Sequence, residues 1–193
     1  MGGSMKMENK KIGVFIGSLR KESFSKKIAT ALIELAPEEL ELEEVDLYDL
    51  EMFNQDFDDE GNPAASWTRF RKQVAKYDGV LFITPEYNRS IPALLKNALD
   101  VGSRPYGKNV WSGKPGAVVS VSPGAMGAFG ANHHLRQVLA FLNVSTMAQP
   151  EAYVGFASSL FDENGILENQ KTREFLETFM AEYTAWVNQI LKK

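Results

Sequence analysis

Ile12-Gly13-Val14-Phe15-Ile16-Gly17-Ser18-Leu19-Arg20-Lys21-Glu22-Ser23-Phe24-Ser25 is the stretch on which the fold turns. A short apolar run stops at a glycine, and a polar segment leads into helical apolar spacing that begins at Ile28. That is the outline of a buried strand turning into a helix N-terminus, where phosphates are readily held. Gly17 lets the backbone leave the strand sharply. Ser18, Ser23 and Ser25 supply hydroxyls, Arg20 a charged fork, and the first amides of the helix point into the same hollow. Taken alone, the stretch also fits Ser23 or Ser25 as a simple helix cap and Arg20 as a solvated charge. It carries neither the three-glycine dinucleotide fingerprint nor the Gly-Lys-Ser/Thr ending of a P-loop.

Strands and helices alternate on either side of this stretch. A strand over 11–17 and a helix over 25–36, stopped by Pro37, are followed by a strand over 41–47 in which Leu42, Val45 and Leu47 alternate with acids. The acidic segment 48–63 reads as a solvated surface loop, since it lacks the oxygen spacing and turn glycine of a hard-cation site. A helix over 64–77 precedes Gly79–Thr84, a continuous apolar run expected of a strand buried on both faces. A helix over 91–101 opens with Pro92 in its first turn. A loop over 103–114 carries Tyr106 and Trp111. A strand over 115–121, a helix over 127–143, a short strand near 144–147 and a long helix over 169–191 complete the chain. Alternation of this kind predicts α/β architecture, a doubly wound three-layer sandwich around a five-stranded parallel sheet in the order 2-1-3-4-5. Ligands then bind beyond the carboxyl ends of strands 1, 3 and 4.

Composition narrows the function. The chain has 193 residues, 44% of them hydrophobic and 24% charged, which suits one globular domain, read here as residues 11–193. Residues 1–10, beginning Met1-Gly2-Gly3-Ser4-Met5, read as a tag remnant and lead-in. A net charge of -4 argues against nucleic-acid and anionic-membrane partners. With no cysteine, thiol nucleophiles, disulfides and thiolate metal sites are excluded. No apolar run reaches transmembrane length and no signal peptide precedes the first strand, so a cytoplasmic location is the expectation.

The three strand ends carry the densest chemistry. The first has the Ser18–Ser25 loop, the second Pro85-Glu86-Tyr87-Asn88-Arg89-Ser90-Ile91-Pro92, and the third Ser120-Val121-Ser122-Pro123-Gly124-Ala125-Met126-Gly127. An anion cradle, a rigid loop with a tyrosine and a turn of small residues together suit a flat heteroaromatic ring with a phosphorylated tail. His133 and His134 are adjacent on a helix, point in different directions and have no third partner, so packing or an interface is their expected role. Ser18 lacks the histidine context of a hydrolase nucleophile.

Gly17-Ser18-Leu19-Arg20-Lys21-Glu22-Ser23-Phe24-Ser25, with Pro85-Glu86-Tyr87-Asn88, Ile91–Asp100 and His134-Leu135-Arg136-Gln137, resembles the NADPH-dependent FMN reductase family. Within that flavodoxin-like family it looks most like the chromate- and quinone-reductase branch. The resemblance implies a non-covalently held FMN. Its phosphate would lie on Ser18, Arg20, Ser23, Phe24 and Ser25, and its ring would be bordered by Pro85, Glu86, Tyr87 and Asn88. Ser120, Ser122, Gly124 and Gly127 would approach its pyrimidine side. It further implies passage of two electrons from NADPH or NADH through flavin N5 to quinones, flavins, azo compounds or metal oxyanions such as chromate. The flavin carries the reaction, so no side chain is assigned as catalytic. A homodimer or homotetramer is also implied, with the helix over 91–101 and the loop bearing Tyr106 and Trp111 at the contact, whereas the residues alone also allow these two aromatics as caps on the core. Two positions depart from the family's habit: Ser25, often asparagine, and Ala128, often glycine. The competing reading is a flavodoxin-type carrier that binds FMN without oxidising NAD(P)H, although such carriers depend on strongly acidic docking faces.

Overall fold

The computed structural model describes residues 9–192. Residues 1–8 of the expected tag remnant and lead-in therefore lie outside the described residues. Lys10 of that segment enters the sheet, because β1 (Lys10–Ile16) begins one residue earlier than its apolar run implies. The order continues α1 (Phe24–Glu34), β2 (Leu40–Glu44), α2 (Gln55–Asp59), α3 (Ala65–Val74), β3 (Gly79–Thr84), α4 (Ala93–Gly102), β4 (Pro115–Val121), α5 (Phe129–Phe141), β5 (Ser145–Thr146), β6 (Ala152–Val154), a 3₁₀ turn (Ala157–Ser159) and α6 (Gln170–Leu191).

Every strand pairing is parallel, and the sheet runs β2-β1-β3-β4-β5 as the alternation predicts. The fifth position differs from the expected single strand. β5 pairs with Pro115 and Gly116, whereas β6 pairs with Val119, Ser120 and Val121, so two short pieces share one side of β4 and make six strands. The segment between them holds Pro150, which has no amide to donate to a ladder. Arg136 of α5 supplies a substitute, its Nη1 donating to the Met147 carbonyl at 2.9 Å.

Successive strand residues face opposite layers, and both layers are apolar. Val14 and Leu81 pack with Ile28, Leu32, Leu176, Phe179 and Tyr183 under α1 and α6. Phe15 and Phe82 pack with Trp67, Phe70, Leu95, Leu139 and Trp111 under α3, α4 and α5. Trp111 is fully buried, its ring 5.1 Å from Phe15 and its Nε1 donating to the Leu99 carbonyl at 3.0 Å. Of the two readings of Trp111, a cap on the core or a wall at a subunit contact, the first holds: the loop around it is polar and glycine-rich, but its indole turns inward. Tyr106 remains almost wholly exposed.

Segment 48–63 also departs from the expected loop, because it contains α2. Asn54 caps that helix by accepting from the Asp56 amide at 3.1 Å, and Asp56 and Asp58 sit in the first turn, where negative charge is favoured. Among the described residues, no helix is long and apolar enough to cross a membrane.

Candidate functional site

The carboxyl ends of β1, β3 and β4 lie side by side, since Ile16 registers with Ile83 and Thr84 with Ser120. Gly17 follows β1 and donates to the Ile83 carbonyl at 2.8 Å. A side chain there would meet Pro85 at 3.0 Å and Pro92 at 3.4 Å, so only glycine brings the first loop fully against the second. Between the loops lies a hollow of about 170 Å³ lined by Ser18, Arg20, Ser23, Phe24, Ser25, Pro85, Glu86, Tyr87, Val121, Ser122 and Pro123. It runs into a more open hollow of about 460 Å³ bordered by Gly17, Leu19, Pro92, Ala93 and Leu94, and the two share Ser18, Arg20 and Tyr87.

The base of the smaller hollow is the start of α1. Ser23 is the helix cap, its Oγ accepting from the Lys26 amide at 3.2 Å while its hydroxyl proton stays available. The Phe24 and Ser25 amides come too early in the helix to have intrahelical acceptors. Ser25 is buried, and its Oγ has no hydrogen-bond partner. A buried hydroxyl in that state costs about 1–3 kcal/mol. Arg20 adds an exposed positive charge at the rim, and the helix end adds a partial one. Chemically, the arrangement suits a small dianion.

The second loop is a tight reversal. Asn88 and Arg89 have φ of 51° and 68°, and Tyr87 and Ser90 exchange two backbone bonds of 3.0 Å. Asn88 therefore stands on an exposed turn tip and does not line the hollow. Glu86 is committed elsewhere: its Oε2 accepts from the Ala131 amide at 3.0 Å, and its Oε1 from Arg89 Nη1 at 3.2 Å. Tyr87 is about half exposed and forms a wall common to both hollows.

The third loop contributes less than expected. Ser122 reaches the hollow, but Ser120 is fully buried and donates to the Gly127 carbonyl at 2.7 Å while accepting from Asn132 Nδ2 at 3.1 Å. Gly127, at φ 55°, packs on β6, where an added Cβ would lie 2.5 Å from the Tyr153 carbonyl carbon. Gly124 is exposed and outside the hollow. Ala128 takes the left-handed conformation, φ 61° and ψ 39°, that glycine adopts freely, so the departure from the family's glycine keeps the backbone and adds a strained methyl. Val121, Pro123, Leu19, Pro92, Ala93 and Leu94 complete the lining. Sequence reasoning assigned these apolar residues no contact because they carry no polar signal, although each lies within one of the motifs.

Beside the site, His133 Nε2 lies 2.8 Å from the Tyr153 hydroxyl and His134 Nδ1 lies 3.0 Å from Ser90 Oγ. Burial, followed by the hydrogen bond and charge of Glu151, pushes the Tyr153 phenol up to about 12, with Arg136 opposing.

Comparison with known proteins gives this geometry its family. A sequence model described as NADPH-dependent FMN reductase matches residues 10–159. A quinone reductase of Pseudomonas putida is 57% identical over 176 residues, spanning 91% of this chain and 94% of its own. A 2-hydroxy-1,4-benzoquinone reductase from a Burkholderia species is 48% identical, covering 92% and 96% of the two chains. The solved structure of FerB, an NAD(P)H:(acceptor) oxidoreductase flavoenzyme from Paracoccus denitrificans, is similar with a TM-score of 0.87 and 37% identity over 93% of this chain and 98% of that one. The chain belongs to the NADPH-dependent FMN reductase family.

Proposed function

We propose that this protein is an FMN-dependent NAD(P)H oxidoreductase whose preferred acceptors are quinones. The observation that carries the reading is the unpaired Ser25 hydroxyl, buried in a hollow whose other donors are Ser18, Ser23, Arg20 and a helix start. A phosphate oxygen there would meet the one buried hydroxyl left without a partner among the described residues, so the residues present fit the tail of FMN. Phe24 closes the floor beside it. Pro85, Glu86 and Tyr87 would border the ring, with Ser122 opposite them; Asn88 acts through the turn, and Ser120, Gly124 and Gly127 shape the backbone without lining the hollow.

Bound FMN supplies two-electron transfer from reduced nicotinamide to an acceptor. The chain supplies placement. Ser18, Arg20, Ser23 and Ser25 fix the anionic end, while the rigid second loop and exposed Tyr87 fix the side on which nicotinamide and acceptor alternate. The open hollow beside Leu19, Ala93 and Leu94 leaves that side accessible. Its apolar rim also supports reading the protein as a homodimer or homotetramer, which light scattering on the purified protein tests: a monomer at all concentrations overturns it. The wider acceptor range of flavins, azo compounds and chromate, a single domain over 11–193 and a cytoplasmic location belong to the same reading.

Anaerobic mixing with NADPH should bleach the visible absorbance of the FMN-loaded protein, and a benzoquinone should restore it. Failure to bleach overturns the reductase reading in favour of the flavodoxin-type carrier, which these relatives do not support.

A further inference from the structure

We propose that Glu86 is a positioning residue, its carboxylate locking the flavin-bordering loop onto the first turn of α5 and thereby setting the affinity for FMN. The inference rests on the FMN reading above and adds a role for a side chain that the family reading uses only as part of the border.

The loop's own two backbone bonds, between Tyr87 and Ser90, close it across a strained tip. Asn88 and Arg89 are consecutive non-glycine residues with positive φ, a conformation in which the β-carbon crowds the backbone, less so for asparagine. Conformations of this kind persist where the surroundings over-determine them. Here the surroundings are α5. Glu86 Oε2 accepts from the Ala131 amide, one of the helix-start donors that has no intrahelical acceptor, and the negative charge sits at the favourable end of the helix dipole. The other oxygen accepts from Arg89, which draws the tip of the same turn toward the same anchor. One turn further along α5, His134 meets Ser90 at the far foot of the loop.

Gly130 is the independent mark of this contact. A Cβ at that position would stand 2.9 Å from Glu86 Oε2 and 3.0 Å from the Arg89 carbonyl. Glycine favours a helix less than alanine does, and here its lack of a side chain lets carboxylate and turn lie directly on the first turn of α5. The Glu86 side chain is only 15% exposed and both its oxygens are engaged. It is thus committed to holding the loop rather than to moving protons.

The test uses cofactor-stripped full-length protein titrated with FMN by quenching of flavin fluorescence, alongside amide hydrogen exchange over residues 85–91. Glu86→Ala should raise the FMN dissociation constant about tenfold and speed exchange across the loop. Glu86→Gln keeps an acceptor for the Ala131 amide and should stay within about threefold of the parent, with exchange near normal. Gly130→Ala, which retains the carboxylate but crowds it off the helix, should reproduce the Glu86→Ala pattern. Parent-like affinity and exchange in both alanine variants overturn the proposal, as does a Glu86→Gln variant as weak as Glu86→Ala. If Glu86→Ala does not fold, Glu86→Gln and Gly130→Ala decide between the same outcomes. A parent protein that ignores FMN while Glu86→Ala still loosens the loop overturns the FMN reading and with it the affinity claim, leaving the lock itself standing.

Discussion

Replacing Asp58 with alanine should unfold the protein far more easily than its place in an acidic surface segment suggests. Asp58 lies on α2, and its two oxygens accept from Arg71 Nη1 and Nη2 at 2.8 and 2.6 Å. Only 5% of the Asp58 side chain and 11% of the Arg71 side chain are exposed. Arg71 Nε also donates to the Val101 carbonyl at 2.8 Å, and the guanidinium lies 5.7 Å from the Trp67 ring centre. One fork therefore joins α2, α3 and the last turn of α4. Removing the carboxylate leaves a desolvated cation without a counter-charge, an effect of about 3–5 kcal/mol. The Val101 carbonyl still serves Nε, which favours the lower end, about 3 kcal/mol. For a domain of this size that is a melting-point loss of about 6–12 °C. Urea unfolding followed by tryptophan fluorescence measures it directly, with the midpoint falling and the slope unchanged. A loss below about 1 kcal/mol, the value of an exposed pair, would refute the argument that the pair is buried and structural. Replacing both residues together, Asp58→Leu with Arg71→Met, should recover most of the loss, since no lone charge remains.

Ser25→Ala should separate folding from binding, stabilising the cofactor-free protein by up to about 1 kcal/mol in urea while weakening FMN, because it removes a hydroxyl without a partner. Loss in both measurements would mean that Ser25 is paired within the protein. Arg20→Ala should weaken FMN by about 1.5 kcal/mol, the lower bound for a bond to a charged group because the side chain is exposed, and unchanged binding would return Arg20 to the role of a surface charge. Gly102→Ala should destabilise by about 1–3 kcal/mol, since its methyl would stand 2.4 Å from Trp111 Nε1; a neutral effect would mean that the indole can withdraw. Tyr77, Tyr153 and Tyr183 all have raised phenol pKa values, burial being the first cause in each, so the fold favours the neutral phenol. The stability they contribute is complete below pH 10 and declines above it, that of Tyr153 between about 10 and 12. Phenolate absorbance in a pH titration should lag behind that of the denatured chain, and coincident curves would contradict this.

The parts of the fold that could be read from the chain are those whose pattern is local. Gly79–Thr84 and Pro115–Val121 announce themselves as central strands because both faces are buried and every residue is apolar or small. The serine-rich loop was equally legible, since its donors fall within eight residues. What escaped depends on distant partners. α2 has no apolar stripe; an asparagine cap starts it and Arg71, thirteen residues on, secures it. Ser120 looks like a ligand contact until Gly127 and Asn132 claim its hydroxyl. Trp111 sits among turn residues, and only the packed fold reveals Phe15, Phe70 and Phe82 around it.

The broken ladder beside β4 has a consequence for life in a crowded solution. A sheet margin is a template on which another chain can grow, and its danger increases with the length of its unsatisfied backbone. Here one margin is divided into runs of two and three residues in different registers, too short to seed an added strand. The opposite margin, β2, carries Glu41, Glu43 and Glu44, whose mutual repulsion would grow with each strand stacked against it. Brevity guards one flank and like charge the other, so the polypeptide can keep an open sheet without becoming the nucleus of a fibre.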